Sequence, residues 1–333
     1  MSIKIIFLES VPEIERKAVD SFLKLWNSDA KTITISTSGS TGIPKKIRLT
    51  KLAMVQSAKA TGHFFNFKPN QKNLLAVSAV YIAGMMQIVR SIVFDLTLYV
   101  APLNSNPLKE LKLPKLDFAA FVPLQVEAIL KNNSSKLSYE GISNVIIGGA
   151  PIHSELNSKI ESLSNHSFAT FGMTETISHI ALREIKNGND VYQAMPNVSF
   201  SNNDEDCLQI NAFRISDHLI VTNDRVEILN DHAFKWIGRS DFTINSGGIK
   251  IQPELVEKKL NEILTNPYYI SGLPDTKLGD KVVLYIESEE YNTEKLKQLT
   301  RAMENELDIY EIPKTVIFKS RFNRTSTGKI IRE

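Results

Sequence analysis

The sequence has a single cysteine, Cys207, among 333 residues. Without a partner it forms no internal disulfide and no metal knot, which points to a reducing compartment. Charge of one sign is also missing: 39 Lys and Arg against 37 Asp and Glu leave a formal +2. The basic residues are dispersed, which argues against a nucleic-acid footprint. Long apolar runs are absent. Ile5 to Leu8 is too short for the core of a signal peptide, and the most apolar long segment, Ile88 to Leu103, is interrupted by Arg90 and Asp95, so no membrane span is expected. Internal repeats and low-complexity segments are lacking, as is the Gly-Lys-Ser/Thr ending of a Walker-type phosphate loop. A soluble cytoplasmic protein is expected.

What is present suffices for one large domain or two ordinary ones, at 42% hydrophobic residues. Apolar periodicity predicts a strand over Ile3 to Phe7, then a helix with Val19, Phe22, Leu23 and Trp26 on one face. Thr32 to Ile35 alternates as a half-buried strand does. Thr50 can cap a helix that begins with Leu52, Val55 and Ala58. Strand and helix patterns then alternate: strands over Leu74 to Val80, Leu98 to Pro102, Asp117 to Val122, Val145 to Gly148 and Phe168 to Phe171; helices over Gly84 to Phe94, Leu124 to Lys131 and Ser154 to Leu163. This alternation implies an α/β fold, a mostly parallel sheet covered by helices on both faces. From Cys207 to Trp236 short strands (Leu208 to Ile210, Leu219 to Val221, Val226 to Leu229) suggest a small antiparallel or barrel-like β appendage. A second α+β unit follows: helices over Pro253 to Leu264 and Glu294 to Leu307, strands over Tyr268 to Ser271, Val282 to Glu287 and Thr315 to Phe318. A boundary at Gly238 to Asp241 divides a large domain, 1–238, from a small one, 239–333.

Between Ile35 and Leu49 lies a loop of small residues. Gly39 and Gly42 permit positive φ, so backbone N–H groups can face one centre. Thr37, Ser38, Ser40 and Thr41 add hydroxyls, Lys45 adds a cation, and Pro44 stiffens the exit. Such a loop suits a polyphosphate, although many loops of this composition bind nothing. Ligands on open α/β sheets sit beyond the carboxyl ends of strands. This loop, Gly148-Gly149-Ala150-Pro151 and Gly172-Met173-Thr174-Glu175 each follow a predicted strand, so the three are expected on one rim. Asp224, in Thr222-Asn223-Asp224, is expected in a turn between two short strands.

The run Thr37 to Lys45, Thr-Ser-Gly-Ser-Thr-Gly-Ile-Pro-Lys, closely resembles the phosphate loop of the adenylate-forming enzymes: acyl-CoA synthetases, luciferases and peptide-synthetase adenylation domains. Phe171-Gly172-Met173-Thr174-Glu175 resembles their second core motif. The stretch from Gly238-Arg239-Ser240-Asp241 through Gly247-Gly248 to Glu257 is the longest match, and Arg324-Thr325-Ser326-Thr327-Gly328-Lys329 resembles their lysine loop, with Asn323 where Pro is usual. The resemblance covers nearly the whole chain, with only about three dozen residues ahead of the phosphate loop. It implies ATP, Mg²⁺ and CoA as reactants, a carboxylic acid substrate, and a mobile small domain. Glu175 would hold Mg²⁺ and Thr174 a phosphate oxygen. Phe171 would stack on the base beside Gly148, Gly149, Ala150 and Gly172. Asp224 would hold the ribose and Arg239 the ribose or phosphate. Asp241 would be the hinge, Gly247 and Gly248 would lie near the CoA pantetheine, and Lys329 would be catalytic.

In finer wording, Val145 to Ile152, Ala169 to Ile180 and Phe121 to Gln125 look most like o-succinylbenzoate–CoA ligases of menaquinone biosynthesis. That acid has a second carboxylate, so its pocket should offer cations or donors. Tyr81, Gly84, Arg90, Ser178 and His179 are the residues this implies. Three of these also have an ordinary reading: Arg90 snorkelling from a helix, His179 a satisfied core residue, Tyr81 packing. Ligation of another acid, loading of a carrier protein, and a catalytically silent nucleotide-binding module are the alternatives.

Overall fold

Leu74, Ala119, Val145 and Ile147 are at most 1% exposed, as strands covered on both faces must be. The computed structural model describes residues 3–36, 46–289, 291–324 and 330–332. They form two units, one of Met1–Phe200, Ile210–Ile220 and Asn230–Ala233, the other of Ser201–Gln209, Val221–Leu229 and Phe234–Glu333. No helix among the described residues is long and apolar enough to cross a membrane.

The first unit runs β1 (Ile5–Phe7), α1 (Glu13–Asn27), β2 (Thr32–Ser36), β3 (Lys46–Thr50), α2 (Lys51–Phe64), β4 (Lys72–Leu75), α3 (Ile82–Phe94), β5 (Thr97–Val100) and β6 (Phe118–Phe121). It continues with α4 (Pro123–Leu130), α5 (Asn133–Glu140), β7 (Asn144–Ile147), α6 (Ser154–Glu161), β8 (His166–Gly172), β9 (His179–Glu184) and β10 (Val191–Ala194). Its sheet has the order β1-β5-β4-β6-β7-β8-β9-β10. The strands from β1 to β8 in that order are parallel; β9 and β10 are antiparallel. The pleat sends Leu75 into the layer of α1, α2 and α3 with Val19, Phe22, Met54 and Ile88. It sends Leu74 into the layer of α4, α5 and α6 with Val126, Tyr139 and Ile160. The helices therefore cover both faces, as the alternation predicts.

Several features depart from the sequence reading. Residues 46–50 are a strand: β3 pairs antiparallel with β2 from Thr32↔Thr50 to Ser36↔Lys46. This hairpin is a separate two-stranded sheet, so the Thr37 to Lys45 segment does not follow a strand of the parallel sheet. Only two of the three expected loops do, among the described residues. The N-cap at Thr50 is as expected, its hydroxyl accepting from Ala53 N–H at 3.1 Å. Helix α5 lacks an apolar stripe legible as a helix. It is held by the Asn132 cap and by the burial of Ser135 and Tyr139.

The second unit receives β11 (Ser199–Asn202), β12 (Cys207–Asn211), β13 (Ile220–Asn230) and β14 (Ala233–Arg239), neighbours in the order β14-β13-β12-β11. The strands expected separately at Leu219 to Val221 and Val226 to Leu229 are one strand, β13. Asp224 therefore stands mid-strand instead of in a turn, because Thr222, Asp224 and Val226 alternate inward with period 2. After a 3₁₀ turn, Ser240–Phe242, come β15 (Ile244–Ser246), β16 (Ile249–Ile251), α7 (Pro253–Leu260), β17 (Tyr268–Asp275), β18 (Gly279–Glu287), α8 (Thr293–Glu306) and β19 (Thr315–Lys319). Strand β18 is central, antiparallel to β17 and parallel to β19. Val256, Leu260, Leu299 and Met303 from the helices cover Val282, Leu284 and Ile286.

Gly84 lets the first turn of α3 press against the chain ahead of it. A Cβ there would collide with the Ser78 carbonyl and stand 2.7 Å from Ala79 N. Both are backbone atoms, so no rotamer relieves the clash. Gly84→Ala should lower stability by about 1–3 kcal/mol, read as a lower urea midpoint with an unchanged slope.

Candidate active site

Strands β7 and β8 lie side by side with Ile147 opposite Ala169, so the loops that leave their carboxyl ends start as neighbours. Gly148 packs on Thr170, whose hydroxyl a Cβ would strike, and Gly149 takes φ +86°. A side chain at either position would fill this edge or strain it. Phe171, half-buried, meets Tyr192 edge-on at 5.9 Å. A Cβ on Gly172 would run into the Ser178–His179 backbone. The turn that follows is tightly strapped. Thr176 Oγ1 accepts from Met173 N–H at 2.8 Å and lies 2.7 Å from the Ser178 carbonyl, and Ile177 N–H donates to the Thr174 carbonyl at 2.9 Å. Ile177, buried and β-branched, is held at φ +65°, a conformation that such a residue rarely adopts. The strained turn leaves Thr174 half-buried and Glu175 exposed at the strand end.

Behind this turn runs a buried polar chain. Arg90 is 1% exposed, which overturns the snorkelling reading. Its Nη1 donates to Gln87 Oε1 at 2.9 Å and its Nη2 to Ser178 Oγ, while Nε has no partner. Among the described residues no carboxylate pairs with it, and burial pushes its pKa down to about 9. Since Arg90 can only donate, Ser178 accepts from it and directs its own proton to His179 Nδ1, 3.3 Å away. His179 Nε2–H then faces Thr61 Oγ1 at 3.1 Å, and Thr61 donates to the Ser57 carbonyl at 3.2 Å. Burial first, and the Arg90 charge second, hold the His179 pKa well below its usual value. The imidazole is therefore neutral, with its proton on Nε2. Behind Arg90, Gln87 Nε2 donates to Asn73 Oδ1 at 3.1 Å and Asn73 Nδ2 to Ser91 Oγ at 2.8 Å. Thr61, Asn73 and Gln87 were not anticipated, because each is an unremarkable residue until the fold joins α2, β4, α3 and β9. Tyr81, just ahead of α3, is 46% exposed, so packing does not account for it.

In the second unit, Asp224 is 9% exposed and accepts from Trp236 Nε1–H at 2.9 Å. The neighbouring Asn223 is exposed and does not take a positive φ. Arg239 grips Asp241 with both arms of its fork, Nε to Oδ1 at 2.9 Å and Nη2 to Oδ2 at 2.7 Å. Burial pushes the Asp241 carboxyl up, but the Arg239 fork outweighs it and holds the group below its ordinary value. Gly247 and Gly248, at φ +60° and +83°, make the turn of the β15–β16 hairpin, as a two-residue hairpin turn demands. Both are exposed, and space is open beside Gly248. Thr37, Ser38, Gly39, Ser40, Thr41, Gly42, Lys45 and Lys329 lie outside the described residues.

A family model described as AMP-binding enzyme matches residues 14–206, more than half of the chain. The chain belongs to the AMP-binding enzyme family. Among AMP-binding relatives, the 2-succinylbenzoate–CoA ligase of Listeria monocytogenes is 25% identical over 93% of this chain and 70% of its own length. The crystal structure of an acyl-CoA synthetase (AMP-forming)/AMP-acid ligase II-like protein from Dyadobacter fermentans is 32% identical. It aligns over 97% of this chain and 94% of its own, with a TM-score of 0.66. The o-succinylbenzoate CoA synthetase of Bacillus subtilis, solved with its acyl-adenylate intermediate, shares the fold. It has 19% identity, a TM-score of 0.77, and coverage of 91% of this chain and 68% of its own.

The donor set suits the magnesium that AMP-binding chemistry implies. Mg²⁺ is ordinarily held by one or two carboxylates together with substrate phosphates and water. An exposed Glu175 at a strand end fits that arrangement, and no cluster of three or more metal-ligating side chains exists among the described residues.

The neutral state of His179 makes stability depend on pH. Its folded pKa is depressed, so the unfolded chain binds the proton first; stability is full above the unfolded value near 6.5 and is lost as pH falls below it. The loss should approach about 1.4 kcal/mol per pH unit. Urea midpoints of wild type and His179→Gln from pH 7.5 to 5 should diverge, the variant showing the shallower slope.

Proposed function

We propose that the chain is an ATP- and Mg²⁺-dependent acid–CoA ligase that adenylates o-succinylbenzoate, releases pyrophosphate and transfers the acyl group to CoA. The observation that carries the substrate choice is Arg90, a guanidinium buried at 1% exposure with neutral partners only. A buried cation without a counter-charge favours an anionic ligand strongly, and a diacid retains one carboxylate after the other has reacted. The names of the relatives support the same acid.

A carboxylate is a poor electrophile, since attack on it must sacrifice resonance and expel oxide. Its attack on the α-phosphorus instead forms an acyl-adenylate and breaks the bond to pyrophosphate; a thiol then displaces AMP from the acyl carbon. The first step brings two anions together and needs positive charge at the contact. In this reading the Thr37–Lys45 segment holds the phosphates and Thr174 adds a hydroxyl. Gly148, Gly149, Ala150 and Gly172 leave room for the nucleoside against Phe171. Asp224, oriented by Trp236, takes the ribose hydroxyls and Arg239 the ribose or phosphate. Glu175 would hold Mg²⁺, which supplies further positive charge to the phosphates. Lys329 meets the joining oxygens. Rotation of the small domain, 239–333, about Asp241 withdraws Lys329 and presents Gly247 and Gly248 to the pantetheine, so that one site serves two half-reactions. Arg90, fixed by Gln87 and Ser178, faces the distal carboxylate, with Tyr81, Gly84 and His179 shaping the pocket. The cytoplasm, where ATP and CoA are at hand, is the compartment that fits.

A panel of acids with ATP, Mg²⁺ and CoA, scored for AMP and thioester, tests the reading. O-succinylbenzoate should exceed monoacids lacking the second carboxylate by about 10²-fold or more in kcat/KM, as a buried charge contact of several kcal/mol implies. Arg90→Met should erase that preference while changing stability by less than about 2 kcal/mol, since removing a buried cation offsets the bonds lost. Lys329→Ala should slow acid-dependent pyrophosphate exchange about 10²–10³-fold and leave thioester formation from supplied adenylate nearly intact. Exchange with no acid at all would end the proposal.

A further inference from the structure

The chain leaves the described structure at Arg324 and returns at Ile330 in an antiparallel bridge, with Ile331 N–H donating to the Asn323 carbonyl at 2.9 Å. Each side of this bridge is anchored by an arginine on a carboxylate. On the outgoing side Arg324 Nη2 lies 2.7 Å from Glu287 Oε2, which also accepts from Phe322 N–H at 3.1 Å. Phe322 is buried against the stacked rings of Tyr269 and Tyr285. On the returning side Ile330 packs, partly buried, against the same cluster, and Arg332 supplies the polar anchor. Its Nη2 donates to Glu257 Oε2 at 2.8 Å and its Nη1 to the Ile270 carbonyl at 3.1 Å, and its guanidinium stands 4.8 Å from the centre of the Phe242 ring. The other oxygen of Glu257 accepts from Ile270 N–H at 2.7 Å. One side chain thus ties the segment just after Lys329 to α7, to β17 and to the residue that follows Asp241. Phe242 has Arg239 on it as well, at 5.8 Å, and Arg239 is the group that clasps Asp241.

We propose that Arg332 is a positioning residue for the adenylation half-reaction, holding the returning segment, residues 330–332, to the neighbourhood of the hinge through Glu257 and Phe242. The inference rests on the role given to Lys329 above. Reacting groups displaced by about 1 Å can lose 10²-fold in rate, so a clamp three residues from the catalytic amine matters for the step that uses that amine. It matters little for thiol attack, which does not. The clamp also carries a pH signature. Burial, against the pull of Arg332, raises Glu257 to about 7. The groups facing it are Arg332 from the C-terminal segment, Glu254 from its own helix and the Tyr268 hydroxyl from β17. As pH rises through 7 the carboxylate ionises and its hold on Arg332 strengthens.

The test uses the full chain and measures both half-reactions: acid-dependent pyrophosphate exchange, and thioester formation from supplied acyl-adenylate and CoA. Arg332→Ala should lower kcat of exchange by about 10-fold or more, with KM for ATP and the thioester rate each within about twofold of wild type. Arg332→Lys, which keeps the charge but loses the fork, should fall between. Glu257→Gln preserves size and guards against loss of folding. It should lower exchange at pH 8 and abolish the rise through pH 7 that wild type shows. Unchanged exchange in Arg332→Ala, or equal loss in both half-reactions, overturns the inference and leaves the ligase reading standing. Absence of exchange in wild type with every acid removes both.

Discussion

The first unit is organised around a charge that has been taken out of water without a partner of opposite sign. Moving a guanidinium into a protein interior costs several kcal/mol even after relaxation, and neutral hydrogen bonds return only part of it. Arg90 is tolerated because its donors are aimed. Gln87 is fixed by Asn73 and by the Leu74 carbonyl, and Ser178 is fixed by the sequence of protons that runs through His179 and Thr61 to Ser57. Every link in that chain is a donor on one side and an acceptor on the other. A protonated His179 would reverse one link and set two cations side by side, so the low pKa of the imidazole and the burial of the arginine are one constraint.

That constraint reaches the strand-end turn through Ser178. The turn must deliver Ser178 and His179 inward while leaving Thr174 and Glu175 outward, within very few residues. The chain does so by placing Ile177 in a left-handed conformation that costs of order 1–3 kcal/mol. Three bonds of Thr176 and Ile177 and the full burial of the Ile177 side chain hold it there. Gly172 is required at the same point because any side chain would meet the backbone of Ser178. The outward pair Thr174 and Glu175 and the inward pair Ser178 and His179 are therefore set by opposite ends of a single strained turn.

Much of this was legible in the sequence, and the parts that were not share a cause. Periodicity marks the parallel strands and their helices because burial on two faces imposes it on every residue. The glycines of the strand-end loops, and Arg90, Ser178 and His179, are nameable by the company they keep. The β2–β3 pairing was hidden because Lys46, Arg48 and Thr50 carry polar side chains on the outward face, and a loop rich in small residues beside them reads as one continuous turn. Asp224 looked like turn chemistry because Asn and Asp usually are; only the inward positions of Thr222 and Val226 reveal a strand. The network behind Arg90 was invisible for a different reason. Its members are separated by up to 118 positions, and hydrogen-bond partners at that distance leave no local pattern.

The same comparison of charges separates roles in the two units. In the second unit four arginines are committed to carboxylates of the same unit: Arg225 to Asp206, Arg239 to Asp241, Arg324 to Glu287 and Arg332 to Glu257. A cation so paired contributes little long-range attraction for an anion, but it fixes geometry. Arg90 is the opposite case, rigid in place and electrically unsatisfied. Among the described residues no anion offsets it, and its Nη donors are held in place by Gln87 and Ser178. The interior of the first unit thus holds a charge that hydrogen bonds alone must stabilise, whereas the pairs of the second unit hold theirs against carboxylates.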